Sequence, residues 1–444
     1  MMASRVTGAG SILLEAHDLT LPTGTGIATY ARVLDEALRT LGYQTEALIG
    51  AARGFNRKDP TLSEIAFYDA DRALNYTQTL AAKWRRLSVN PLGAKPFPMP
   101  RAGIVVGAAT ERLKSFAKVH VVPHLLDRER NHFKRYRASL KIKVEQAPKL
   151  FHATRPAPIR VKGCPNIFTI HDLVPLRLPF ATADDKKYHL GLIRHLCRSA
   201  DHIVTVSEHS RQDIIRLTGI SESRITNTYQ SISLPDRLTS RDEDAVAREI
   251  EALFGLGFGE YFLFVGAIEP KKNLSRLVDA FAASGASRPL IIVGALGWMN
   301  EADLRKIDSE QFLAYELKDN FIKPRRRVQR LPYVAFDHLV SLIRGARALL
   351  FPSLYEGFGL PVLEAMALGT PVMTSNVSSL PELCGAAALL VDPYDINKMA
   401  AVIRALDSDQ DLRSEYAARG RVRAQEFSSE RYLERIGELY RRLG

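Results

Sequence analysis

The 444-residue sequence has only three cysteines, Cys164, Cys197 and Cys384, and they lie far apart. An odd number of widely spaced cysteines suits neither a disulfide framework nor a zinc site. No run approaches the ~18 uninterrupted apolar residues that a transmembrane helix needs. The N-terminal apolar run is also too short for the hydrophobic region of a signal peptide. We therefore expect a cytoplasmic protein, and peripheral contact with the inner face of the cell membrane stays open.

Acidic residues are outnumbered, with 49 Asp and Glu against 61 Lys and Arg and a net charge of +12. The excess is local, because residues 83–143 contain roughly fifteen basic residues and three acidic ones. Trp84, Phe133 and Tyr136 lie among these cations, as in segments that contact anionic lipid. This charge leaves three interpretations open: a solvated basic helix face, a surface that binds an anionic membrane or a lipid-linked acceptor, or a surface that binds nucleic acid.

Short apolar runs alternate with amphipathic segments along the chain, and strand followed by helix in turn predicts an α/β fold with parallel, doubly wound sheets. We predict buried strands in ten of these runs, which are residues 11–19, 149–154, 166–172, 201–207, 261–268, 289–294, 328–334, 348–353, 371–375 and 387–392.

The length exceeds what one hydrophobic core supports, so we predict two domains. A charged stretch with turn formers separates two sets of strands. It divides the chain into an N-terminal domain (1–236), a linker (237–260) and a C-terminal domain (261–427). Residues 428–444 predict a final amphipathic helix that packs against a domain, with the N-terminal domain as the candidate. Residues 52–147 lack clear alternation and predict long loops or a mobile insertion.

The stretch 351–372, "FPSLYEGFGLPVLEAMALGTPV", carries a glycine-rich turn between a strand and a helix. Such a turn lies at the carboxyl end of a parallel strand, where open α/β sheets bind ligands. Gly357 and Gly359 permit close backbone approach. The N–H groups of Phe358, Gly359 and Leu360 precede the helix and face outward at its positive end, which predicts a phosphate site.

Two glutamates, Glu356 and Glu364, flank this turn. A carboxylate beside a phosphate would repel it unless it faces another group, and ionised carboxylates only accept hydrogen bonds. Sugar hydroxyls are natural donors. The combination predicts a ligand with both phosphates and sugars, a nucleotide-sugar.

The segment "EGFGLPVLE" resembles the signature of retaining glycosyltransferases of family 4, in which seven residues separate two glutamates. This family includes bacterial O-antigen and exopolysaccharide mannosyltransferases. Residues 262–281, 331–353 and 378–393 agree with the family pattern in the expected order. The resemblance implies a GT-B fold, in which two doubly wound, Rossmann-like domains face each other across a cleft. The N-terminal domain would bind the acceptor and the C-terminal domain the nucleotide-sugar.

By the same resemblance, Lys272 in "EPKKN" is expected to bind the diphosphate of the donor. The family usually has an arginine in a Gly-Arg pair shortly before this lysine, but this sequence has Ala267 there. Lys271 or an arginine elsewhere is the expected substitute. An ammonium group on a flexible stem suits phosphate binding.

The resemblance also assigns the other donor contacts. Glu364 would bind the ribose hydroxyls and Glu356 the transferred sugar, while the backbone near Val334 would contact the base.

Two loops of the N-terminal half are further candidates. Gly24 and Gly26 precede a helix and can present N–H donors to an anionic group, and the family places such a loop close to the donor phosphates. His171 and Asp172 follow a buried strand. The resemblance places a histidine near the donor sugar, so His171 would bind the sugar or handle the acceptor proton. Asp172 would orient it or act as a base.

The leaving group of such a transfer is a diphosphate, which the lysine, the helix N-terminus and the glycine loop can stabilise electrostatically. We expect no metal and no cofactor. Retention of configuration is implied by the resemblance alone.

Three alternatives stay open. They are a sugar-nucleotide epimerase of similar architecture, an NAD-dependent dehydrogenase, for which "GTGIAT" is a weak fingerprint, and a nucleic-acid-binding protein. Nucleic acid is not expected, because it would explain the charge but not Glu356 and Glu364.

Overall fold

A computed structural model describes residues 10–20, 26–51, 59–68, 93–99, 103–318, 321–331 and 334–443. It contains two large sheets. The first has the strand order β10-β9-β8-β6-β1-β2-β4-β3 and is parallel except for the β3–β4 pair. Its strands are Ser11–Glu15 (β1), Gln44–Ala51 (β2), Phe97–Pro98 (β3), Lys118–Pro123 (β4), Leu150–Ala153 (β6), Asn166–Thr169 (β8), His202–Thr205 (β9) and Ile225–Asn227 (β10).

The second sheet is parallel throughout and has the order β15-β12-β11-β16-β17-β18. Its strands are Phe262–Val265 (β11), Leu290–Val293 (β12), Val328–Leu331 (β15), Ala348–Phe351 (β16), Val372–Ser375 (β17) and Leu389–Val391 (β18). Two small ribbons pair Leu140–Ile142 (β5) with Ile159–Val161 (β7), and Leu313–Lys318 (β13) with Phe321–Arg326 (β14).

Helices cover both sheets. In the first half of the chain they are Gly26–Thr40 (α1), Pro60–Tyr68 (α2), Ala108–Leu113 (α3), Leu125–Tyr136 (α4), Val174–Arg177 (α5), Lys186–Ser199 (α6) and Glu208–Thr218 (α7). In the rest they are Asp236–Thr239 (α8), Glu243–Phe254 (α9), Leu274–Ser284 (α10), Glu301–Ile307 (α11), Phe336–Gly345 (α12), Leu360–Leu368 (α13), Leu380–Cys384 (α14), Ile396–Ser408 (α15), Gln410–Ala424 (α16) and Ser429–Leu443 (α17).

All ten predicted strands are present. Their apolar runs are buried except in β15 and β18, the two edge strands of the second sheet, which are only partly buried. The expectation of long loops over 52–147 is wrong for residues 103–147, where β4, α4 and β5 lie. The strand β2 had not been predicted. Its sequence, QTEALIGA, mixes polar residues with alanine and glycine, so it carries no clear period of two.

The order of strands places one crevice in each sheet. In the first sheet the chain moves outward from β1 to β2 and β4 and then returns to β6 beside β1. In the second it moves from β11 to β12 and β15 and returns to β16 beside β11. Loops leave in opposite directions at such a reversal, which opens a crevice at the carboxyl ends of the two strands.

The last helix, α17, returns to the first sheet. Its face with Tyr432, Ile436, Leu439 and Tyr440 is buried, as predicted. The Tyr440 hydroxyl lies 2.6 Å from Nδ1 of His152 in β6. The sheets end at Asn227 and begin again at Phe262. The division of the chain into domains at residues 236 and 260 stays a prediction.

Candidate active site

Lys272 and Glu356 meet at the crevice of the second sheet. Lys272 ends a short 3-10 turn after β11, and Glu356 follows β16. The Lys272 ammonium is 2.6 Å from Glu356 Oε1 and 4.8 Å from the centre of the Phe351 ring. Burial alone would raise the pKa of Glu356, but the positive charges of Lys272 and Lys271 outweigh it and hold that pKa below its ordinary value. Glu356 is therefore ionised although only 7% exposed.

Lys271 lies beside the same carboxylates. Its ammonium is 3.4 Å from Glu269 Oε1. Burial opposes the charged form, yet Glu356, Asp172 and Glu269 raise the pKa of Lys271 above its ordinary value. Two ammonium groups and two nearly buried carboxylates, those of Glu269 and Glu356, thus share one crevice. The cations have partners in this structure, and an entering anion would compete for them.

The turn before α13 has the backbone that the glycines predict. Gly359 is the N-cap residue and has φ = 117°, a left-handed conformation that a side chain disfavours. A Cβ on Gly359 would also lie 2.9 Å from Leu380. Within the described part of the chain, the N–H groups of Phe358, Gly359 and Leu360 have no hydrogen-bond acceptor. Three unpaired donors at a helix N-terminus form a site for an anion.

Gly357 brings the two halves of the chain together. A Cβ at this position would lie 2.6 Å from the His171 carbonyl oxygen and 3.0 Å from the Asp172 Cβ. The loop after β8 therefore lies directly against the turn after β16. The predicted sugar-site residues His171 and Asp172 thus adjoin the predicted phosphate turn, although they belong to different sheets.

The hydrogen bonds of His171 fix its tautomer. Its Nε2 is 2.8 Å from the Thr154 carbonyl oxygen, which can only accept, so Nε2 carries the proton and Nδ1 is an acceptor. Burial lowers the pKa of His171, although the bond to Thr154 opposes this shift. The Tyr30 ring packs edge-on against the imidazole at 4.9 Å. Asp172 Oδ1 accepts from the Val174 N–H at 3.0 Å, which ties Asp172 to its own loop.

The remaining predicted residues are more scattered. A Cβ on Gly26, the first residue of α1, would be 4.0 Å from Leu360, so this loop faces the phosphate turn. Gly24 lies outside the described residues. Val334 is half-buried beyond β15 and packs against the core.

Glu364 lies on α13, one to two turns after Leu360. It is half-buried, and desolvation raises its pKa to about 7, opposed by the charge of Arg32 on α1. No hydrogen bond or ion pair joins Glu364 to Lys272 among the described residues. The two glutamates therefore occupy different electrostatic environments, since the neighbouring lysines lower the pKa of Glu356 whereas desolvation raises the pKa of Glu364.

Sequence reasoning missed two serines that hold the turn. Ser378 Oγ accepts from the Glu356 N–H at 3.0 Å. Ser379 Oγ donates to the carbonyls of Glu356 and Phe358 at 3.0 and 2.9 Å. Ser378 also has φ = 57°. The pair "SS" opens the family-like stretch 378–393 but carries no signal of this role, which only the pairing of β17 with β16 shows.

A second charged cluster, also missed, occupies the crevice of the first sheet. The Arg155 guanidinium, after β6, lies 3.2 Å from Glu15 and 2.9 Å from Glu129. Asp18 is 3.9 Å from the same guanidinium. Burial raises the pKa of Glu129 to about 7 although Arg155 opposes the shift. Three carboxyl groups thus share one guanidinium at this crevice.

The basic segment, for which membrane contact is one of the open interpretations, is only partly suited to that contact. Phe133 is 1% exposed and packs against Tyr188 and His195, so it cannot reach a lipid surface. Tyr136 is 46% exposed at the end of α4. Trp84 lies outside the described residues.

Two other features are absent from the described ranges. No three His, Cys, Asp or Glu side chains are grouped as a metal site would require. None of the described helices is long and apolar enough to cross a bilayer.

Two family models match most of the chain. Residues 24–233 match glycosyltransferase family 4, and residues 257–423 match glycosyl transferases group 1. These matches do not favour the epimerase, dehydrogenase or nucleic-acid alternatives.

Curated relatives include an O-antigen chain mannosyltransferase B from Escherichia coli, 33% identical over 269 residues that make up 60% of this chain and 67% of that protein. The O-antigen chain mannosyltransferase RfbU from Salmonella typhimurium is 28% identical over 56% of this chain and 62% of its own. The serotype-specific mannosyltransferase WbdA from Escherichia coli is 26% identical over 58% of this chain but only 31% of its own. This chain thus spans between about a third and two thirds of these relatives.

Solved structures share the fold. HepE from Anabaena, in complex with UDP-glucose, has a TM-score of 0.65 at 15% identity, covering 98% of this chain and 100% of that one. Sucrose-phosphate synthase from Thermosynechococcus elongatus has a TM-score of 0.61 at 22% identity, covering 98% of each chain. The two solved structures agree with the family models and with the relative that is 33% identical. The chain belongs to the group 1 glycosyltransferases of family 4 and has the GT-B fold.

Proposed function

We propose that this glycosyltransferase transfers a hexose, with GDP-mannose as the favoured donor, to a saccharide or lipid-linked acceptor during synthesis of a cell-surface polysaccharide. The preference for mannose follows the relatives from Escherichia coli and Salmonella typhimurium, which are mannosyltransferases of O-antigen chains. We also propose that the transfer retains the anomeric configuration.

One observation carries the proposal: Lys272, Glu356 and the unpaired N–H groups of residues 358–360 converge at one crevice, against His171. The lysine and the N–H groups are donors for a diphosphate, and a low-dielectric crevice strengthens their attraction for the charge that grows on the leaving group. We assign Lys271 as the second cation in place of the arginine that Ala267 replaces.

The acceptor groups around this crevice suit the sugar of the donor. Glu356 is ionised and only accepts hydrogen bonds, and His171 presents an acceptor at Nδ1 because Nε2 donates to Thr154. We assign both to hydroxyls of the transferred sugar. We assign Glu364 to the ribose hydroxyls, Val334 to the base, and the loop with Gly24 and Gly26 to the diphosphate.

For the chemical step we propose attack from the face that the diphosphate leaves. The acceptor hydroxyl forms the new bond to the anomeric carbon as the bond to the phosphate oxygen breaks. That oxygen takes the proton of the hydroxyl. The lysines and N–H groups stabilise the departing charge, and Asp172 positions the His171 loop without taking the proton.

A thermal-shift screen over UDP-, GDP-, ADP- and dTDP-sugars tests the donor assignment. A ligand at 100 times its dissociation constant should stabilise the fold by about 2.7 kcal/mol. We expect the largest shift with GDP-mannose and loss of that shift in Lys272→Ala and Glu364→Ala. Lys398→Ala and Glu438→Ala, exposed positions on α15 and α17, are matched controls. An unchanged shift in both site variants would remove the proposed site.

We also propose that the basic face of α4 contacts an anionic membrane in which the acceptor is anchored. Arg130, Lys134 and Arg135 are exposed on this helix together with Tyr136. Each cation near an anionic surface contributes about 1 kcal/mol. Sedimentation with vesicles tests this. We expect binding to phosphatidylglycerol vesicles, weak binding to phosphatidylcholine, and loss of binding in Lys134→Glu/Arg135→Glu. Equal binding of variant and wild type would contradict it.

A further inference from the structure

Helix α7 of the first half carries a buried carboxylate, that of Asp213, which the proposed mechanism does not use. Asp213 is 4% exposed, and its Oδ2 accepts a hydrogen bond from the Tyr355 hydroxyl at 2.7 Å. Tyr355 belongs to the second half of the chain, directly precedes Glu356 and is 5% exposed. A buried hydrogen bond thus reaches from the first half to the residue next to the candidate sugar-binding carboxylate.

The tyrosine is the donor in this bond. Burial, and then the hydrogen bond and charge of Asp213, raise the pKa of Tyr355, so the phenol keeps its proton. A hydrogen bond to a charged acceptor is stronger than one between neutral groups. The Arg177 guanidinium lies 3.3 Å from the same Oδ2, and Arg177 ends α5, the helix that follows the His171 loop. Asp213 therefore contacts both halves of the site at once.

The same face of α7 also holds the His171 loop. Ser210 lies three residues before Asp213, so the two side chains share one face of the helix. The Ser210 hydroxyl donates to the His171 carbonyl oxygen at 2.9 Å. This is the carbonyl oxygen that would lie 2.6 Å from a Cβ on Gly357. One helix thus holds both partners of the contact between the halves, the loop through Ser210 and the turn through Asp213.

A second contact joins the start of α7 to the second half. The His209 N–H donates to Glu382 Oε1 at 3.4 Å, and Glu382 lies on α14. A carboxylate is stabilised at the positive end of a helix. Ser379, the N-cap residue of α14, donates to two carbonyl oxygens of the phosphate turn. The His209 ring also packs edge-on against the Tyr355 ring at 5.5 Å. Helix α7 is therefore tied to the turn and to the helix that supports the turn.

We propose that Asp213 is a positioning residue for sugar transfer. By accepting from the Tyr355 hydroxyl, it holds the turn with Glu356 against the loop with His171, so that the two groups assigned to the donor sugar keep their relative position. The inference rests on the proposed function. Most groups assigned to the diphosphate lie in the second half, so loss of the Asp213 contact should slow the transfer more than it weakens nucleotide binding.

Turnover of GDP-mannose, with an α-linked mannobiose or water as acceptor, tests this role beside isothermal titration with GDP. Tyr355→Phe removes only the hydroxyl. We expect kcat to fall about tenfold to a hundredfold, while the GDP affinity changes less than about threefold. Asp213→Ala should have the same effect, whereas Asp213→Asn keeps an oxygen that can accept from the hydroxyl and should recover much of kcat. Tyr394→Phe and Asp411→Asn, at exposed positions, are the controls.

A double variant separates this role from a general effect on folding. Tyr355→Phe and Asp213→Ala remove the same hydrogen bond, so their combination should lower kcat no more than either substitution alone. A merely structural contact would lower the melting temperature and leave the kcat of the folded protein unchanged. Wild-type kcat in both single variants would overturn the inference, as would losses that multiply in the double variant.

Fluorine NMR gives a readout that does not depend on activity. In protein labelled with fluorotyrosine, the Tyr355 signal is the one that is absent from Tyr355→Phe. This signal should shift in Asp213→Ala and not in Asp411→Asn, and an unshifted signal would overturn the contact. Absence of any nucleotide-sugar shift in the melting of the wild type would instead remove the proposed function, and the fluorine signal would then still decide whether the hydrogen bond forms.

Discussion

Replacing Lys272 with methionine tests the electrostatics of the candidate site most directly. The substitution keeps an unbranched side chain but removes a charge 2.6 Å from Glu356 Oε1, where both side chains are about 10% exposed. At this distance an effective dielectric constant of about 20 gives roughly 6 kcal/mol of attraction, most of which offsets desolvation of the two charges. Breaking such a pair leaves an uncompensated carboxylate.

We expect Lys272→Met to lower the free energy of unfolding by roughly 3 kcal/mol at pH 7.5, the low end for broken buried pairs, because Lys271 still faces Glu356. The sign depends on pH. In the wild type the folded-state pKa of Glu356 is depressed, so its contribution is present above the unfolded-state pKa and is lost as pH falls through the folded-state value. Without Lys272 desolvation dominates and raises that pKa, so the variant loses stability as pH rises. The decrease in the free energy of unfolding caused by Lys272→Met should therefore be larger at pH 7.5 than at pH 5.

The assay combines thermal melting at both pH values with kcat for sugar transfer. We expect kcat to fall about a hundredfold to a thousandfold, as when one donor to a developing oxyanion is removed. Lys272→Met/Glu356→Gln should recover much of the stability but not kcat, and Lys398→Met should behave as wild type. If Lys272→Met melts like the wild type at pH 7.5 and retains its kcat, the ion pair and the diphosphate contact are both refuted.

Three further predictions concern single positions. Gly357→Ala should lower kcat at least tenfold, because the new Cβ would lie 2.6 Å from the His171 carbonyl oxygen and push the two halves apart. Gly257→Ala is the control. Equal kcat values for Gly357→Ala and the wild type would contradict the contact. In the wild type, nucleotide affinity should weaken as pH falls through about 7, because Glu364 loses its charge, and Glu364→Gln should abolish this pH dependence. Isothermal titration at pH 6 and pH 8 measures the affinities. The same pH dependence in variant and wild type would exclude Glu364 from the site. Tyr440→Phe should lower the free energy of unfolding by about 1–3 kcal/mol, because the buried Nδ1 of His152 loses the hydroxyl that lies 2.6 Å away. Tyr394→Phe, at an exposed position, is the control and should cost little. Equal denaturation midpoints for Tyr440→Phe and the wild type would show that the bond contributes nothing.

The sequence predicted the strands better than the segments between them. Runs such as Phe262–Val265 are apolar throughout, and a strand buried on both faces requires that composition wherever it lies. By contrast, β2 and β4 mix charged or polar residues with apolar ones, since they lie toward one edge of the first sheet. Their burial depends on which helices cover them, and no local pattern encodes that.

By itself the sequence determined the positions of Lys272, Glu356 and the glycine turn at strand ends, because a parallel strand followed by a helix fixes which end of the sheet carries the loop. The contact of Gly357 with His171, the pairing of Arg155 with Glu15 and Glu129, and the hydrogen bond of Tyr355 to Asp213 were decided only by tertiary structure. Each joins residues far apart in the chain, and such contacts depend on how the sheets order their strands and how the two halves pack, which local periodicity does not specify.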